Sequence, residues 1–155
     1  MARGPEFLKV DDVKEAHAAA LERWSGASGV RDEGALDAAV MQPQASFDGE
    51  HLYEDIFQMA AAYGFHISQA HAFIDGNKRA AALAMVTFLD MNGFRIPHHE
   101  NDILYLAVME VATGTMTKQE LALLLRQLAG IVVPVATTRL AGVIDLTADE
   151  RWRGR

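Results

Sequence analysis

The sequence predicts an all-α protein, a bundle of about six helices. Apolar residues recur at helical spacing in successive segments, whereas the alternating pattern of a half-buried strand is nearly absent. One of these segments is apolar on most sides, which is typical of a helix at the buried centre of a domain. With 155 residues, 50% of them hydrophobic, the chain is long enough to form one domain with a sizeable core.

The first two helices are predicted from periodicity and from their end signals. Residues 9–24 carry their apolar side chains on one helical face, and Asp11 or Asp12 is expected to cap the start. A short helix is predicted at Glu33–Met41, and Pro43 stops it. The polar, glycine-containing stretch that follows, residues 43–52, is expected to be a loop.

Two long helices are predicted next, at residues 53–70 and 76–92. Gly64 is expected to weaken the first of them only locally. The second is the segment that is apolar on most sides, and Gly93 stands where a helix-ending glycine belongs. It is therefore expected to be the central helix of the fold.

The last two helices are predicted at residues 101–113 and 117–130. The second begins with a capping box, in which Thr117 is followed three residues later by Glu120. Its leucine stripe is expected to belong to the core. Residues 131–155 differ in composition, and three roles stay open for them: a fused partner fragment, a dimerisation strand or a disordered extension.

Composition excludes several classes of function. The absence of cysteine excludes disulfides, thiolate metal sites and cysteine nucleophiles, and it suits a reducing cytoplasm. A formal net charge of −7 argues against a nucleic-acid partner. No apolar run is long enough to span a membrane, and residues 1–6, set aside as a possible cloning remnant, are not a signal peptide.

The chemistry of the chain is concentrated in one motif between the two long helices, HAFIDGNKR, which runs from His71 to Arg79. Its end lies at a helix N-terminus, where free N–H groups and the helix dipole favour a phosphate, and Lys78 and Arg79 add positive charge. Asp75 is a candidate magnesium ligand, and His71 is the natural general base. Phe73 is expected to point inward and anchor the loop.

This motif closely resembles the signature of the Fic/Doc family, HxFx(D/E)GN followed by Gly or Lys and then Arg. The segments FLKVDDVKEAH, GVRDEGALDAAVMQPQ and TFLDMNGF also resemble the Doc, or death-on-curing, branch. The resemblance covers residues 7–128, and it places a Fic/Doc domain at residues 7–130. It implies the all-α Fic/Doc fold, with the motif loop leading into the buried central helix.

The resemblance also implies a function. It implies a cytoplasmic toxin that uses ATP, or another nucleoside triphosphate, and Mg²⁺ to phosphorylate a serine or threonine of a translation factor such as elongation factor Tu. It further implies a Phd-like antitoxin, and a flap at residues 43–53 whose backbone pairs with the target. The implied catalytic residues are His71, Asp75, Lys78 and Arg79. The implied metal ligand is Asp75, and the implied nucleotide-binding residues are Gly76, Asn77, Lys78 and Arg79.

Two alternatives stay open on the same fold. In nucleotide-transferring Fic enzymes the motif usually ends in GNGRxxR. In this sequence, which resembles theirs, Lys78 and Ala82 stand in place of the second glycine and the second arginine. These differences favour phosphate transfer, but Gly76 matches the Fic enzymes, so transfer of AMP, CMP or UMP is the first alternative. The second is a catalytically inactive member that only binds a nucleotide or a partner.

The other histidines and one acidic segment are interpreted as having no catalytic or inhibitory role. His17 and His66 are expected to be core or surface residues and not catalytic ones. The pair His98 and His99 beside an acidic residue is interpreted as a solvated loop, since adjacent residues rarely converge on one ion. The pattern around Glu33 has the wrong spacing for the inhibitory helix of Fic enzymes, so no inhibition in cis is expected.

Overall fold

The computed structural model describes residues 4–97 and 100–130 of the chain, and in them the predicted all-α fold is confirmed. Six helices account for most of the described residues. A 3₁₀ turn and a short antiparallel hairpin lie between the second and third helices. The elements are α1 Val10–Trp24, α2 Glu33–Met41, a 3₁₀ turn at Gln42–Gln44, β1 Ser46–Phe47, β2 Glu50–His51, α3 Ile56–Ala70, α4 Asn77–Met91, α5 Asn101–Ala112 and α6 Lys118–Leu128.

Helix α4 lies in the core, as its apolar surface predicts. Alanines on several sides of it are fully buried, as are Met85, Phe88 and Leu89. It packs most extensively against α3, and Gly64 permits this contact, because a Cβ added at Gly64 would overlap Met85 Sδ. The glycine that was expected only to weaken α3 therefore lets the two central helices approach closely.

Helix ends explain where the observed bounds differ from the predicted ones. Helix α3 begins at Ile56, three residues later than expected, because the Asp55 carboxylate caps it by accepting from Gln58 N at 2.8 Å. At α1, Asp12 lies in the first turn, and its carboxylate stabilises the start of the helix by accepting from Lys9 N at 2.7 Å. The predicted loop at 43–52 contains the hairpin and all but the first residue of the 3₁₀ turn, and the two-residue strands are too short to show alternation.

The segment just before residue 7, the predicted start of the domain, is hydrogen-bonded to the rest of the fold. Glu6 N donates to Asn92 Oδ1 at 2.9 Å, and Asn92 Nδ2 donates to Glu6 O at 3.0 Å. These bonds join the N-terminal segment to the end of α4. The interpretations of His98, His99 and residues 131–155 lie outside the described residues. Among the helices of the described part, none has both the length and the apolarity to cross a membrane.

Candidate functional site

The motif loop begins where α3 ends. His71 is the C-cap residue of α3, in the left-handed conformation with φ 49° and ψ 39°, and its side chain is exposed. Phe73 is 1% exposed, which confirms that it anchors the loop in the core. The chain thus turns sharply between a solvent-facing histidine and a buried ring two residues later.

A distant segment, residues 29–32, holds the first half of this loop. Val30 and Phe73 form an isolated antiparallel bridge, and Ile74 N donates to Gly29 O at 3.1 Å. Arg31 donates from its backbone N to Ala72 O at 2.7 Å and from its guanidinium to His71 O. Sequence reasoning missed this support, because a single bridge leaves no periodic pattern.

The Asn77 side chain closes the second half of the loop. Its Oδ1 accepts from Phe73 N at 2.9 Å, and its Nδ2 donates to Phe73 O at 3.0 Å. This paired contact joins the start of α4 to the middle of the loop. The amide has a second N–H, which is still a possible donor to a ligand.

The N-terminus of α4 differs from those of α2, α3 and α6. Side chains of Asp32, Asp55 and Thr117 accept from backbone N–H groups at the starts of α2, α3 and α6. At α4 the N-cap is Gly76, with φ 74° and no side-chain cap, and the first turn contains no acidic residue. The free N–H groups of this turn and the positive end of the helix dipole therefore favour an anion.

A cleft of about 400 Å³ lies over this turn. All six of the predicted site residues line it, which brings the predicted base, the predicted metal ligand and the predicted phosphate-binding group to one place. The lining consists of Trp24, Ser25, His71, Ile74, Asp75, Gly76, Asn77, Lys78, Arg79 and Tyr105.

Aromatic rings fix the position of Arg79. Its guanidinium carbon lies 4.2 Å from the centroid of the Trp24 ring and 3.7 Å from that of Tyr105. Its Nη1 lies 3.9 Å from Asp102 Oδ1. Contact with two rings holds the planar cation beside the cleft and leaves it few rotamers to lose. Sequence reasoning missed both aromatic residues.

Asp75 is the carboxylate of the cleft. Its Oδ1 accepts from Gly76 N at 2.9 Å, its Oδ2 accepts from Ala27 N at 3.3 Å, and the residue is exposed. In the described part of the chain, no group of three or more acidic or histidine side chains is close enough to hold a metal. One oriented, accessible carboxylate suits Mg²⁺, which commonly binds through one or two carboxylates together with substrate phosphates and water.

The remaining histidines occupy distinct places. His17 is 5% exposed, as expected of a core residue, but its Nε2 lies 2.7 Å from Asp75 O. His66 lies 3.4 Å from both Tyr53 Oη and Lys118 Nζ. Burial and then the positive charge of Lys118 lower the pKa of His66 to about 4.

Glu33, the acidic residue whose surroundings were compared with the inhibitory helix of Fic enzymes, forms an ion pair with Lys14 at 3.3 Å.

Comparison with known proteins gives consistent matches. The family model described as the Fic/DOC family matches residues 7–89. The protein named Toxin Doc from Mycolicibacterium smegmatis is 42% identical over 91 residues, which are 59% of this chain and 68% of that protein. The protein named Protein kinase doc from Escherichia phage P1 is 31% identical over 123 residues, which are 79% of this chain and 95% of that protein.

Proposed function

The chain belongs to the Fic/DOC family, and from this premise we propose that it is a Doc-type toxin that transfers the γ-phosphate of ATP to a protein hydroxyl. The observation that carries the proposal is the single cleft, in which an exposed histidine, an exposed carboxylate and the uncapped, basic first turn of α4 meet. The name of the phage relative, a protein kinase, supports phosphate transfer in particular.

In this proposal the first turn of α4 holds the triphosphate. The residues after Gly76 offer free backbone N–H groups, and Lys78 and Arg79 neutralise the charge that develops on the transferred group. Arg79 needs little reorganisation because Trp24 and Tyr105 already fix its position. Most of the rate enhancement therefore comes from positioning and charge.

His71 and Asp75 complete the site. His71 takes the proton of the attacking serine or threonine hydroxyl, for which its exposed position on the cleft is suited. Asp75 would hold Mg²⁺, which would supply positive charge to neutralise the phosphates. The carbonyl of His71 accepts from Arg31, so the residue that carries the base is itself held in place.

The proposed target is a translation factor of the elongation factor Tu type, and the proposed regulator is a Phd-like antitoxin, both acting in the cytoplasm. We assign the transferase domain to residues 7–130. The hairpin β1–β2 supports the assignment of residues 43–53 as a target-binding flap, because its strands are exposed on both sides.

Mass spectrometry of the target tests the proposal. After incubation with the chain, ATP and Mg²⁺, elongation factor Tu should gain the mass of one phosphoryl group. A nucleotide adduct would overturn phosphate transfer and support the nucleotidyltransferase alternative.

His71→Ala should lower the rate of transfer about 10²–10⁴-fold. His66→Ala, which removes a histidine outside the cleft, is the matched control. Unchanged toxicity of His71→Ala in cells would instead support the inactive binding protein.

Lys78 tests what sets the reaction type. In nucleotide-transferring relatives a glycine is typical at this position, so Lys78→Gly removes a cation and opens space beside the triphosphate. We expect weaker phosphate transfer, and the mass of the product shows whether nucleotide transfer replaces it. Phosphate transfer by Lys78→Gly at the wild-type rate would show that the lysine does not determine the chemistry.

A further inference from the structure

His17 meets the motif loop from the buried face of α1. It lies in the same buried stripe as Val13 and Ala20, and its ring stacks on Phe73 with centroids 3.8 Å apart and planes 8° apart. Its Nε2 is 2.7 Å from Asp75 O. One side chain thus contacts both the hydrophobic anchor of the loop and a loop carbonyl.

The polarity of this bond follows from its partners. A carbonyl oxygen only accepts, so Nε2 must carry the proton and donate it. The described peptide bonds are trans, and the C=O and N–H of a trans peptide point in opposite directions. With Asp75 O directed towards α1, the N–H of Gly76 is directed away from α1 and lies 2.9 Å from Asp75 Oδ1, which belongs to a residue of the cleft lining.

This peptide needs an external constraint. Gly76, with φ 74°, flanks it, and glycine allows rotations of the adjoining peptide that a side chain would prevent. In a rotated state the Gly76 N–H would leave Asp75 Oδ1, and the Asp75 carbonyl would face the cleft, where it would repel a bound phosphate. A Cβ added at Gly76 would lie 3.5 Å from the His17 ring, so this ring packs directly against the flexible residue.

We propose that His17 is a positioning residue of the phosphate cleft. Its Nε2–H locks the Asp75–Gly76 peptide in the orientation in which the Gly76 N–H holds the Asp75 carboxylate and the Asp75 carbonyl points away from the anion. The inference rests on the proposed function for its ligand, ATP, but it concerns binding and not the transfer step. Its consequence is that a residue outside the motif, and 58 positions away from Asp75, sets the affinity of the motif for phosphate.

Two substitutions separate the bond from the packing. His17→Phe keeps a ring to stack on Phe73 and removes the donor, whereas His17→Gln restores an N–H donor without the ring. We expect His17→Phe to weaken the binding of Mg-ATP, measured by titration calorimetry, about tenfold, and His17→Gln to recover most of that loss. Leu124→Ala, in the core of α6, controls for lost stability and should keep its affinity.

A second measurement detects the peptide itself. The amide resonance of Gly76 in the ligand-free protein should shift in His17→Phe and return towards its wild-type position in His17→Gln. Equal Mg-ATP affinity of the wild type and His17→Phe would overturn the inference, as would a loss in His17→Gln as large as that in His17→Phe. If the wild type binds ATP and His17→Phe binds it weakly, but no target is modified, the inference stands and the proposed transfer fails. A wild type that binds no ATP overturns both.

Discussion

The motif loop and the hairpin β1–β2 are both short connections between helices, yet they are held in opposite ways. The loop receives bonds from His17, Arg31 and Asn77, and Phe73 at its centre is 1% exposed. The hairpin has strands of two residues, paired as Ser46 with His51 and Phe47 with Glu50, and all four residues are exposed. Phe47 itself is 77% exposed.

This difference matches two different tasks in the proposed reaction. Phosphate groups have fixed size and geometry, so the groups that bind them gain from being held rigidly before the ligand arrives. A protein target brings an extended segment of its own, and an exposed, weakly restrained strand edge can adjust to it. The comparison predicts that changes in the loop lower the rate of transfer, and that changes in the hairpin lower the affinity for the target.

Among the changes that test this comparison, the largest effect is expected when the loop loses its closing contact. Asn77→Ala removes both bonds to Phe73 and lets the loop shift relative to α4. We expect kcat to fall about 10²-fold, because displacement of a positioned group by about 1 Å has that effect. The free energy of unfolding should fall by about 1–3 kcal/mol for the two lost bonds, measured by urea denaturation.

Asn77→Asp provides a second comparison for this change. It keeps an acceptor for Phe73 N, but its second carboxylate oxygen faces Phe73 O, which also only accepts, so its stability should lie below that of the wild type. It also places a negative charge beside the phosphates, so its transfer rate should be at least as low as that of Asn77→Ala. Wild-type kcat in Asn77→Ala would show that the loop is rigid without this contact.

A smaller effect of another kind is expected in the hairpin. Phe47→Ser removes an apolar side chain that contributes little to the core, so the stability should change by less than about 0.5 kcal/mol. The KM for the protein target should rise about fivefold, while the KM for ATP stays unchanged. Met41→Ser is the matched control, because Met41 is also exposed, at 57%, but lies on α2. An equal rise of the target KM in both variants would remove the special role of the hairpin.

The same two regions show what the sequence can predict. Helix α2 was predicted at its observed bounds, and the capping box of Thr117 and Glu120 marked the start of α6, because periodicity and capping are local. The motif was equally local, since its chemistry lies within nine consecutive residues. The helices and the motif therefore needed no tertiary information to be predicted.

The supports of the site were not predictable in this way. The contacts of His17 with Asp75 and of Arg31 with His71 join residues 58 and 40 positions apart, and only the packing of α1 and α2 brings them together. Trp24 and Tyr105 stack on Arg79 from two different helices. The hairpin was missed for another reason, since two-residue strands with exposed side chains carry no hydrophobic alternation.

The smallest effect concerns the C-terminal base of the hairpin, where His66 meets Tyr53 and Lys118. The folded protein lowers the pKa of His66 to about 4 from an ordinary 6.5, first by burial and then by the charge of Lys118, so it favours the neutral ring. The unfolded chain binds the proton more tightly, and the stability contribution, complete above about pH 6.5, is lost as the pH falls towards 4. For this partly exposed ring we expect the free energy of unfolding to fall by about 1 kcal/mol between pH 7 and pH 5, measured by urea denaturation at both values.

His66→Gln should remove this part of the pH dependence, and Lys118→Gln, which leaves the burial in place, should reduce it by less. A pH dependence that is identical in all three proteins would show that His66 does not couple the base of the hairpin to pH.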